Sequence, residues 1–574
     1  MNPNNDAQVY VGIDLGTTYS SISYFDPHSN DVLVVNATGT STINASHTTL
    51  SKNKKDKKTF NICGNEAKNK GGSFMLYDSK RLIGKTIKEY EEMGNEKDNW
   101  SFEVKEDENG FCQMVIPNPL DENELEFFYP EEVTSFILSY LMKLLKEKIG
   151  NTQIKTIVVT IPVKFTPAQR FATERACRLS GVENIVLINE PSASIVDYKR
   201  FLEKNNYPPL EEGKRILVID FGGGTLDICC CKIVPKDDEN SNETKIEVIQ
   251  CGGNQDLGGK HLDLLLLEVL KTKLEENGFD DLKILLTYKG NDLPKKKKLK
   301  RNTIFKALVE CEKIKMDLSR NQNCELDLDK IFGSDYMDET ITITREDFET
   351  EIEKTIIPQF VECIQQVMES CQWKTDDVDL VLPIGGSCLV PIIRRTIDEM
   401  FKDKSKRALE LFDPLNAVVR GAAYHALSLS FVDPTLQDVL PYSILTDLTG
   451  GRTSVLLKKG TKLPCEVKKI YLLNRDYQDE VSFNLYVGEG QFINSPDVKS
   501  IREAVIPIPE EKRRRKCDFK MKTILEINES GLLKMKVYKE SNGEEIDSLE
   551  TRLEINKLED FFDEMLEHMN KFKN

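Results

Sequence analysis

The chain has 574 residues, of which 39% are hydrophobic and 30% charged, and it carries a formal net charge of −17. This length predicts three or four domains or subdomains, and the composition is that of an ordinary globular protein. The negative charge argues against nucleic acid as a partner, because affinity for a polyanion depends on lysine and arginine contacts to phosphates. Two basic runs, residues 294–301 and 512–516, fit solvated turns better than nuclear-import or polyanion-binding signals.

The amino terminus has no signal-peptide pattern, and the longest apolar segment, residues 215–234, is interrupted by acids and glycines. We therefore predict no membrane span. Fourteen cysteines without a secretory signal predict reduced thiols and a cytoplasmic protein. The three successive cysteines at 229–231 are expected to be small core side chains on a strand, and the cysteines and histidines show no zinc-site spacing.

In chain order, residues 9–25 (VYVGIDLGTTYSSISYF) predict a hairpin, and residues 154–162 predict a buried strand. Between them, residues 130–150 carry apolar side chains at i, i+3, i+4 and i+7, which predicts an amphipathic helix. A second helix is predicted from Thr166, its N-cap, to Gly181 just beyond its end. Strands that alternate with helices of this length indicate an α/β sheet covered by helices.

The pattern of the first half begins again near residue 217, with a hairpin, then helices, then the strand VDLVLPIGGS. We therefore predict two similar lobes, at about 1–214 and 215–430. After a linker at 431–440, short alternating runs with glycine turns predict an all-β module at 441–555. One short helix is predicted at 556–574.

The stretches GIDLGTTYS (12–20) and VIDFGGGTLD (218–227) have the same order: a strand that ends in aspartate, then a glycine turn with threonine. Glycine lets backbone N–H groups approach phosphate oxygens, and threonine hydroxyls add contacts. The carboxylates at the strand ends cannot face phosphate without a cation, and a hydrated Mg²⁺ requires few protein carboxylates. These two turns predict a nucleotide phosphate site between the lobes. The residues concerned are Thr17, Thr18, Thr225, Asp14, Asp220 and Asp227.

With these motifs the chain resembles the 70-kDa heat-shock chaperone family, which has the actin-like ATPase fold. The resemblance extends to INEPSASIVDY (188–198), SKRLIG (79–84), VTIPVKFTPAQRFAT (159–173), ECEKIKMDLS (310–319) and LPIGGSCLVP (382–391). It implies a two-lobed α/β ATPase domain with duplicated ribonuclease-H-like lobes, a β-sandwich peptide-binding module and a C-terminal helix that is a lid remnant.

The resemblance also implies roles for individual residues, with ATP or ADP and Mg²⁺ as ligands. Asp14 and Asp220 would hold Mg²⁺ through water, and Pro162 and Arg170 would belong to an interdomain contact. The catalytic set would be Asp14, Lys80, Glu190, Asp220, Thr225 and Asp227. ATP-binding positions would be Gly16, Thr17, Thr18, Tyr19, Gly222, Gly223, Gly224, Gly258, Gly259, Glu312, Lys315, Met316, Ser319, Gly385, Gly386, Ser387 and Leu389.

Several positions depart from the family pattern. Met316 and Leu389 stand where two arginines flank the adenine ring, and Leu415 replaces an aspartate, so we expect weaker nucleotide binding and faster exchange. Lys260 and His261 replace two acids. The linker reads DPTLQDVLP (433–441) and keeps one leucine of four. We therefore expect it to dock poorly, with weak coupling between the two halves.

Two functions follow from the resemblance. The first is an ATP-dependent chaperone that binds unfolded or extended peptides, with J-domain and nucleotide-exchange co-chaperones as implied partners and rapid peptide release without a full lid. The alternative is an ATP-binding regulator or exchange partner of other chaperones with little hydrolysis. A small-molecule kinase would leave the β module unexplained.

Overall fold

The computed structural model describes residues 8–36, 41–52, 59–72, 74–236, 244–287, 294–402, 407–431, 435–448, 450–472, 475–507, 520–539, 551–552 and 562–572, and the single positions 510, 513 and 515. Within these ranges, no helix combines the length and the apolar character needed to cross a bilayer. A six-stranded and a five-stranded sheet form the centres of two lobes.

The first lobe (residues 8–204) contains a mixed sheet, two small sheets and six helices. Its strands are β1 (Gln8–Leu15), β2 (Tyr19–Asp26), β3 (Asp31–Val34), β4 (Asn44–Ala45), β5 (His47–Lys52), β6 (Thr59–Cys63), β7 (Met75–Tyr77), β8 (Glu103–Glu106), β9 (Cys112–Pro117), β10 (Leu125–Phe128), β11 (Gln153–Ile161) and β12 (Ile185–Asn189). Its helices are α1 (Gly64–Lys70), α2 (Ser79–Leu82), α3 (Ile87–Glu91), α4 (Pro130–Ile149), α5 (Pro167–Leu179) and α6 (Glu190–Lys204).

The second lobe (residues 215–402) repeats the plan and is followed by one more helix and one short strand. Its strands are β13 (Arg215–Phe221), β14 (Leu226–Pro235), β15 (Thr244–Asn254), β16 (Asn323–Asp327), β17 (Thr340–Thr344) and β18 (Leu380–Ile384), with β19 (Leu436–Gln437) in the linker. The helices are α7 (Gly259–Glu276), α8 (Asp280–Leu285), α9 (Pro294–Leu318), α10 (Asp329–Phe332), α11 (Arg345–Ser370), α12 (Pro391–Met400) and α13 (Ala417–Ser428).

The two central sheets have corresponding topologies. In the first lobe the order is β12-β11-β1-β2-β3, with β1 antiparallel to β2 and parallel to β11. In the second lobe the order is β18-β13-β14-β15-β19, with β13 antiparallel to β14 and parallel to β18. The strand orders of the two sheets therefore correspond, and each phosphate-type turn joins the two antiparallel strands of its hairpin.

Local sequence signals account for the two predicted helices. Pro130 opens α4, and Gly150 ends it with a φ of 61°. In α5, the Thr166 side chain accepts a hydrogen bond from the Gln169 N–H, and Pro167 occupies the first turn. These caps satisfy backbone groups that a helix end leaves open, so the boundaries fall where the sequence predicts them.

Two helices lie between the central sheets and form one core with both of them. Helix α6 contacts the strands of both lobes, and α13 returns to pack on α6, β1 and β11 of the first lobe. Their shared core includes Val158 of β11 and Val218 of β13, both fully buried. The cysteines at 229–231 of β14 are also fully buried, as predicted. One prediction is wrong: the basic run 294–301 is not a turn, because α9 begins at Pro294.

The β module consists of two four-stranded antiparallel sheets with one apolar core between them. Leu485 from one sheet and Leu525 from the other are both buried in that core. The sequence also predicts a turn at Asn542–Gly543, and these two residues lie outside the described ranges. The strands are β20 (Ile444–Leu448), β21 (Arg452–Leu457), β22 (Cys465–Leu472), β23 (Glu480–Val487), β24 (Lys499–Pro507), β25 (Lys520–Ile527), β26 (Leu533–Lys539) and β27 (Thr551–Arg552). Their order is β21-β20-β23-β24 in one sheet and β22-β25-β26-β27 in the other.

The linker is docked on the second lobe, contrary to the expectation from its sequence. Strand β19 pairs in parallel with β15, where Leu436 is in register with Ile246. Leu436, Val439 and Leu440 are at most 6% exposed. The expectation counted leucines alone, whereas valine contributes to the burial and strand pairing depends on the backbone. Pro434 lies outside the described residues.

The C-terminal helix α14 (Phe562–Asn570) packs on the first lobe, between α4, α5 and β10. Met569 is fully buried there, and His568 Nδ1 lies 2.8 Å from Glu132 Oε1 of α4. The Arg178 guanidinium of α5 lies 4.5 Å from the centre of the Phe562 ring. Residues 556–561 of the predicted helix lie outside the described residues.

Candidate functional site

The two phosphate-type turns meet face to face where the lobes adjoin. A Cβ atom added to Gly223 would lie 2.2 Å from Thr18 Oγ1, and one added to Gly224 would lie 2.4 Å from Thr17 Oγ1. Both distances are far below van der Waals contact, so only glycine allows the turns to approach this closely. The structure thus brings together threonines and glycines that are about 200 residues apart in the sequence.

The first turn carries an unsatisfied hydroxyl. Thr18 Oγ1 is buried and has no hydrogen-bond partner among the described residues. Buried polar atoms are almost always paired, so an orphaned hydroxyl beside a glycine turn indicates a ligand. Backbone N–H groups and a hydroxyl are the donors that bind phosphate oxygens. The turns therefore fit a phosphate chain.

Three aspartates lie at the strand ends beside these turns. Asp14 Oδ1 accepts a hydrogen bond of 3.0 Å from the Thr160 hydroxyl. Asp220 is directly opposite Asp227 in the β13–β14 ladder. Asp227 Oδ1 accepts a bond of 2.8 Å from the Val163 N–H, while its Oδ2 has no partner among the described residues. The three carboxyls therefore adjoin both turns.

Burial disfavours the charged form of these acids. It raises the pKa of Asp14 to about 6 and that of Asp227 to about 7, and the neighbouring Glu190 carboxylate adds to both shifts. The pKa of Asp220 is raised well above its usual range for the same two reasons. In the described part of the chain no three acids converge as direct metal ligands. The Asp14 and Asp220 carboxyls beside the turns are oxygen donors of the kind that a hydrated Mg²⁺ would bind through its waters.

Lys80 supplies the buried positive charge of the site. It lies on α2 and is 7% exposed, and its Nζ donates to Glu190 Oε1 and to the Leu15 backbone oxygen, both at 2.5 Å. Glu190 is the first residue of α6. The structure thus places Lys80 and Glu190 beside the aspartates, within the set that the resemblance implied.

The predicted adenosine-end residues lie on the second lobe, next to the second turn. Lys315 Nζ lies 2.7 Å from Asp263 Oδ1 and donates a 3.0 Å hydrogen bond to the Gly259 oxygen. The Ser387 hydroxyl donates a 2.9 Å bond to the Gly222 oxygen. These contacts join α9, α7 and the segment after β18 to the phosphate-type turn. Ser319 instead bonds within its own helix, to the Lys315 oxygen.

Three apolar side chains at the predicted adenosine end are exposed. Met316 is 57% exposed, Leu389 is 42% and Leu415 is 44%. Leu415 lies beside Gly386, where its Cδ2 would be 3.8 Å from an added Cβ. An exposed apolar surface of this kind fits the faces of a planar base. It lacks the guanidinium groups that would add cation–π attraction.

Ion pairs across the cleft were not found by sequence reasoning. Lys260 of the second lobe pairs with Asp78 of the first, and Glu312 pairs with Lys68. Lys68 also donates a 2.9 Å hydrogen bond to the Tyr19 hydroxyl. The departure at Lys260 was visible in the sequence, but its partner is 182 residues away. His261 accepts a 3.1 Å bond from the Gly258 N–H within its own segment.

The predicted interdomain residues follow β11 on the first lobe. Arg170 Nη1 donates a 2.9 Å hydrogen bond to the Ser530 oxygen of the β module, and Nη2 donates a 3.1 Å bond to Asn189 Oδ1. The Leu187 N–H donates a 2.9 Å bond to the Ser530 hydroxyl. Pro162 directly precedes Val163, whose N–H binds Asp227. One segment therefore connects a candidate catalytic acid with the β module.

Comparison with known proteins places these features in a family. The sequence model described as "Hsp70 protein" matches residues 10–574. A "Heat shock cognate HSP70 protein" of Trypanosoma brucei brucei is 28% identical over 494 residues, which cover 83% of this chain and 66% of that protein. A ribosome-associated molecular chaperone of Zygosaccharomyces rouxii is 25% identical over 555 residues, which cover 93% of this chain and 80% of that protein. A ribosome-associated molecular chaperone of Candida glabrata is 26% identical over 550 residues, with the same coverage.

Proposed function

Because this chain belongs to the Hsp70 family, we propose that it is a chaperone that hydrolyses ATP and holds extended peptide segments in its β module. Chaperone function, ATP binding and peptide binding are expected of the family as a whole. The finer proposal concerns this chain. Its own residues catalyse ATP hydrolysis, and that reaction is coupled to peptide binding in the β module.

The meeting of the two turns carries this proposal. Gly223 and Gly224 of the second lobe contact Thr18 and Thr17 of the first, beside a hydroxyl with no partner among the described residues. Buried carboxyls and one buried lysine surround this point. Phosphoryl transfer needs positioning and charge stabilisation more than covalent chemistry from the protein, and these groups supply both.

The residues divide the work as follows. Lys80 would stabilise negative charge that shifts onto the leaving and transferred phosphate oxygens. Asp227, whose Oδ2 has no partner among the described residues and whose pKa is raised to about 7 by burial, would orient the attacking water and accept its proton. Thr225 would contact the terminal phosphate. A hydrated Mg²⁺ held by Asp14 and Asp220 would supply further positive charge beside the phosphates.

Peptide binding would use the β module. A small cavity of about 10 Å³ lies between its two sheets, with apolar walls that include Leu456, Val467 and Tyr471. We propose that this cavity widens to take one apolar side chain, while main-chain hydrogen bonds hold an extended peptide. The Arg170–Ser530 contact and the docked linker support coupling between the two halves. J-domain and nucleotide-exchange co-chaperones are the partners that this proposal implies.

The test is single-turnover ATP hydrolysis by the full chain, with and without an unfolded peptide, and with Lys80→Ala in parallel. Hydrolysis that requires Lys80 and accelerates with peptide is the expected result. Hydrolysis that ignores peptide would refute the coupling. Binding of ATP without Lys80-dependent hydrolysis would refute the ATPase itself.

A second function is favoured by one observation, the exposed Met316, Leu389 and Leu415 in place of arginines and an acid. This arrangement would suit a protein that binds ATP weakly and acts on other chaperones as a regulator or exchange partner. Acceleration of ADP release from a separate Hsp70, with no hydrolysis by this chain, would support that function over the first.

A further inference from the structure

A second cavity lies between the lobes, beside the phosphate-type turns. Its volume is about 70 Å³. Half of its lining comes from the first lobe, including Thr18, His47 and Tyr77, and half from the second, including Lys260 and Phe305. The exposed apolar residues of the adenosine end, Met316, Leu389 and Leu415, are not part of its lining. The cavity therefore adjoins the predicted nucleotide site, with which it shares Thr18 and Glu312, but does not include that apolar surface.

Four aromatic side chains form one wall of this interlobe cavity, and charged and aliphatic side chains form the rest. The His47 ring is stacked on Tyr77, with centroids 5.1 Å apart and planes 10° from parallel. Phe305 lies 5.4 Å from Tyr77, and Trp100 also lines the cavity. Aromatic side chains offer flat apolar surface on which a planar ring stacks favourably.

Two polar atoms of the uncharged lining residues have no hydrogen-bond partner among the described residues, and the carboxylate of Asp263, which also lines the cavity, is ion-paired with Lys315. His47 is 4% exposed, and its Nδ1 makes no hydrogen bond there; Thr18 Oγ1 is equally unsatisfied. Burial, with Lys68 and Lys260 nearby, holds the pKa of His47 well below its usual range, so the ring is neutral. A neutral imidazole nitrogen can donate or accept one hydrogen bond, according to its tautomer.

The charged groups of the cavity are already paired. Lys260 is bound to Asp78, and Lys68 to Glu312. Asp78 Oδ2 also accepts a 3.0 Å hydrogen bond from the indole N–H of Trp100. A charged ligand would have to break one of these buried pairs, which is costly. An uncharged ligand would leave them intact.

We propose that the interlobe cavity binds an uncharged planar heteroaromatic molecule, which stacks on the aromatic wall and hydrogen-bonds to His47 and Thr18. Because both lobes contribute to the walls, the bound molecule holds the lobes together. It thereby slows the release of nucleotide from the adjoining turns. The binding of this molecule does not depend on the proposed function, whereas its effect on nucleotide release rests on the proposed function.

The binding test uses indazole, a neutral bicyclic molecule with two ring nitrogens, one of which donates a hydrogen bond while the other accepts one. The comparison is indene, a hydrocarbon of similar shape. Affinities are measured by ligand-observed NMR on the full-length protein without nucleotide. We expect indazole to bind more tightly than indene, and His47→Phe to reduce that preference by about five- to tenfold. The phenyl ring keeps the stacking on Tyr77 but removes the nitrogen. An absence of indazole binding, or a preference unchanged in His47→Phe, would overturn the proposal.

A cavity-filling variant locates the site. Leu264→Trp places an indole in the cavity and should abolish indazole binding, whereas Leu125→Trp, at a 44% exposed position of β10, should not change it. Contacts from indazole protons to the Tyr77 and Phe305 rings, detected by nuclear Overhauser effects on the wild-type protein, give the same information without a variant. Indazole that still binds Leu264→Trp normally would place it elsewhere and refute the site.

The effect on release is measured with fluorescent ADP chased by unlabelled ADP. Saturating indazole should slow release about fivefold or more in the wild-type protein and not in Leu264→Trp. Unchanged release with bound indazole would refute the bridging role. If the chain did not bind ADP at all, the proposed ATPase would fail, and the indazole measurement on the nucleotide-free protein would still decide the cavity.

Discussion

Lys80 donates to Glu190 across 2.5 Å and, over the same distance, to the backbone oxygen of Leu15. One ammonium group therefore connects α2 with the end of β1 and with the first turn of α6. Its position is fixed by protein contacts alone, so the charge is preorganised for a phosphate.

We expect Lys80→Ala to reduce single-turnover ATP hydrolysis by about 10²–10³-fold, the range seen when one preorganised charge-stabilising group is removed. ATP binding should change much less, because the glycine turns remain. The measurement is hydrolysis of radiolabelled ATP by excess enzyme, with ATP affinity determined separately. Lys88→Ala, an exposed position on α3, is the matched control. Equal hydrolysis by both variants would contradict the role of Lys80.

Because the acids of the site are buried, they should destabilise the folded protein at neutral and higher pH when no ligand is bound. Burial raises the pKa of Asp227 from 3.8 to about 7, so the folded chain keeps a proton that the unfolded chain loses. Stability contributed by this group is therefore lost as the pH rises from about 4 to about 7. We expect Asp227→Asn to raise the Tm of the nucleotide-free protein by several degrees at pH 8 and very little at pH 4.

Calorimetry at the two pH values measures this shift, and Asp335→Asn, at an exposed acid, is the comparison. The same Asp227→Asn protein should hydrolyse ATP poorly, since an amide cannot accept the proton of the attacking water. A Tm gain of the same size at both pH values would show that the buried charge is not its cause.

Restoring arginines at the adenosine end should strengthen nucleotide binding. Leu389→Arg or Met316→Arg would add a guanidinium plane at an exposed apolar position, and cation–π attraction of about 0.5–2 kcal/mol corresponds to about 2- to 30-fold in Kd. Isothermal titration with ADP measures the change. Met337→Arg alters a 66% exposed methionine elsewhere and controls for the added charge. Tightening by Met337→Arg alone would indicate a general electrostatic effect.

The contact between Arg170 and the β module depends on a glycine. Gly531 has a φ of 71°, and a Cβ there would lie 3.0 Å from Arg170 Nη1. Gly531→Ala should therefore weaken docking of the β module on the first lobe and increase the radius of gyration measured by X-ray scattering. Gly278→Ala is closely matched, since its φ is 81° and an added Cβ would meet no atom within 4 Å. An unchanged radius for Gly531→Ala would show that the contact is dispensable for docking.

Local signals were sufficient for much of the fold. The hairpins at Gly16 and Gly223 and the caps of α4 and α5 lie within a few residues of the sequence that produces them, and their boundaries were predicted. The start of α9 was misjudged, although Pro294 suits a first helical turn and lysine is a good helix former. There the run of charge obscured a helix signal.

Contacts between distant segments could not be predicted in the same way. Lys260 and Asp78 are 182 residues apart, and Arg170 and Ser530 are 360 apart. No periodicity connects such pairs, because each depends on how whole lobes and modules pack. The roles of the candidate catalytic residues also remain predictions, although Lys80, Glu190 and the three aspartates lie together.

Strand β19 has a consequence for self-association. Leu436 and Gln437 occupy the outer side of β15, which is the edge of the second lobe's sheet. An uncovered edge strand offers backbone groups to any other extended chain. Undocking of the linker would therefore expose unpaired backbone groups of β15, on the same molecule that is proposed to bind extended chains. The docked linker covers part of that edge, so we expect a conformation with the linker released to dimerise more readily as its concentration rises.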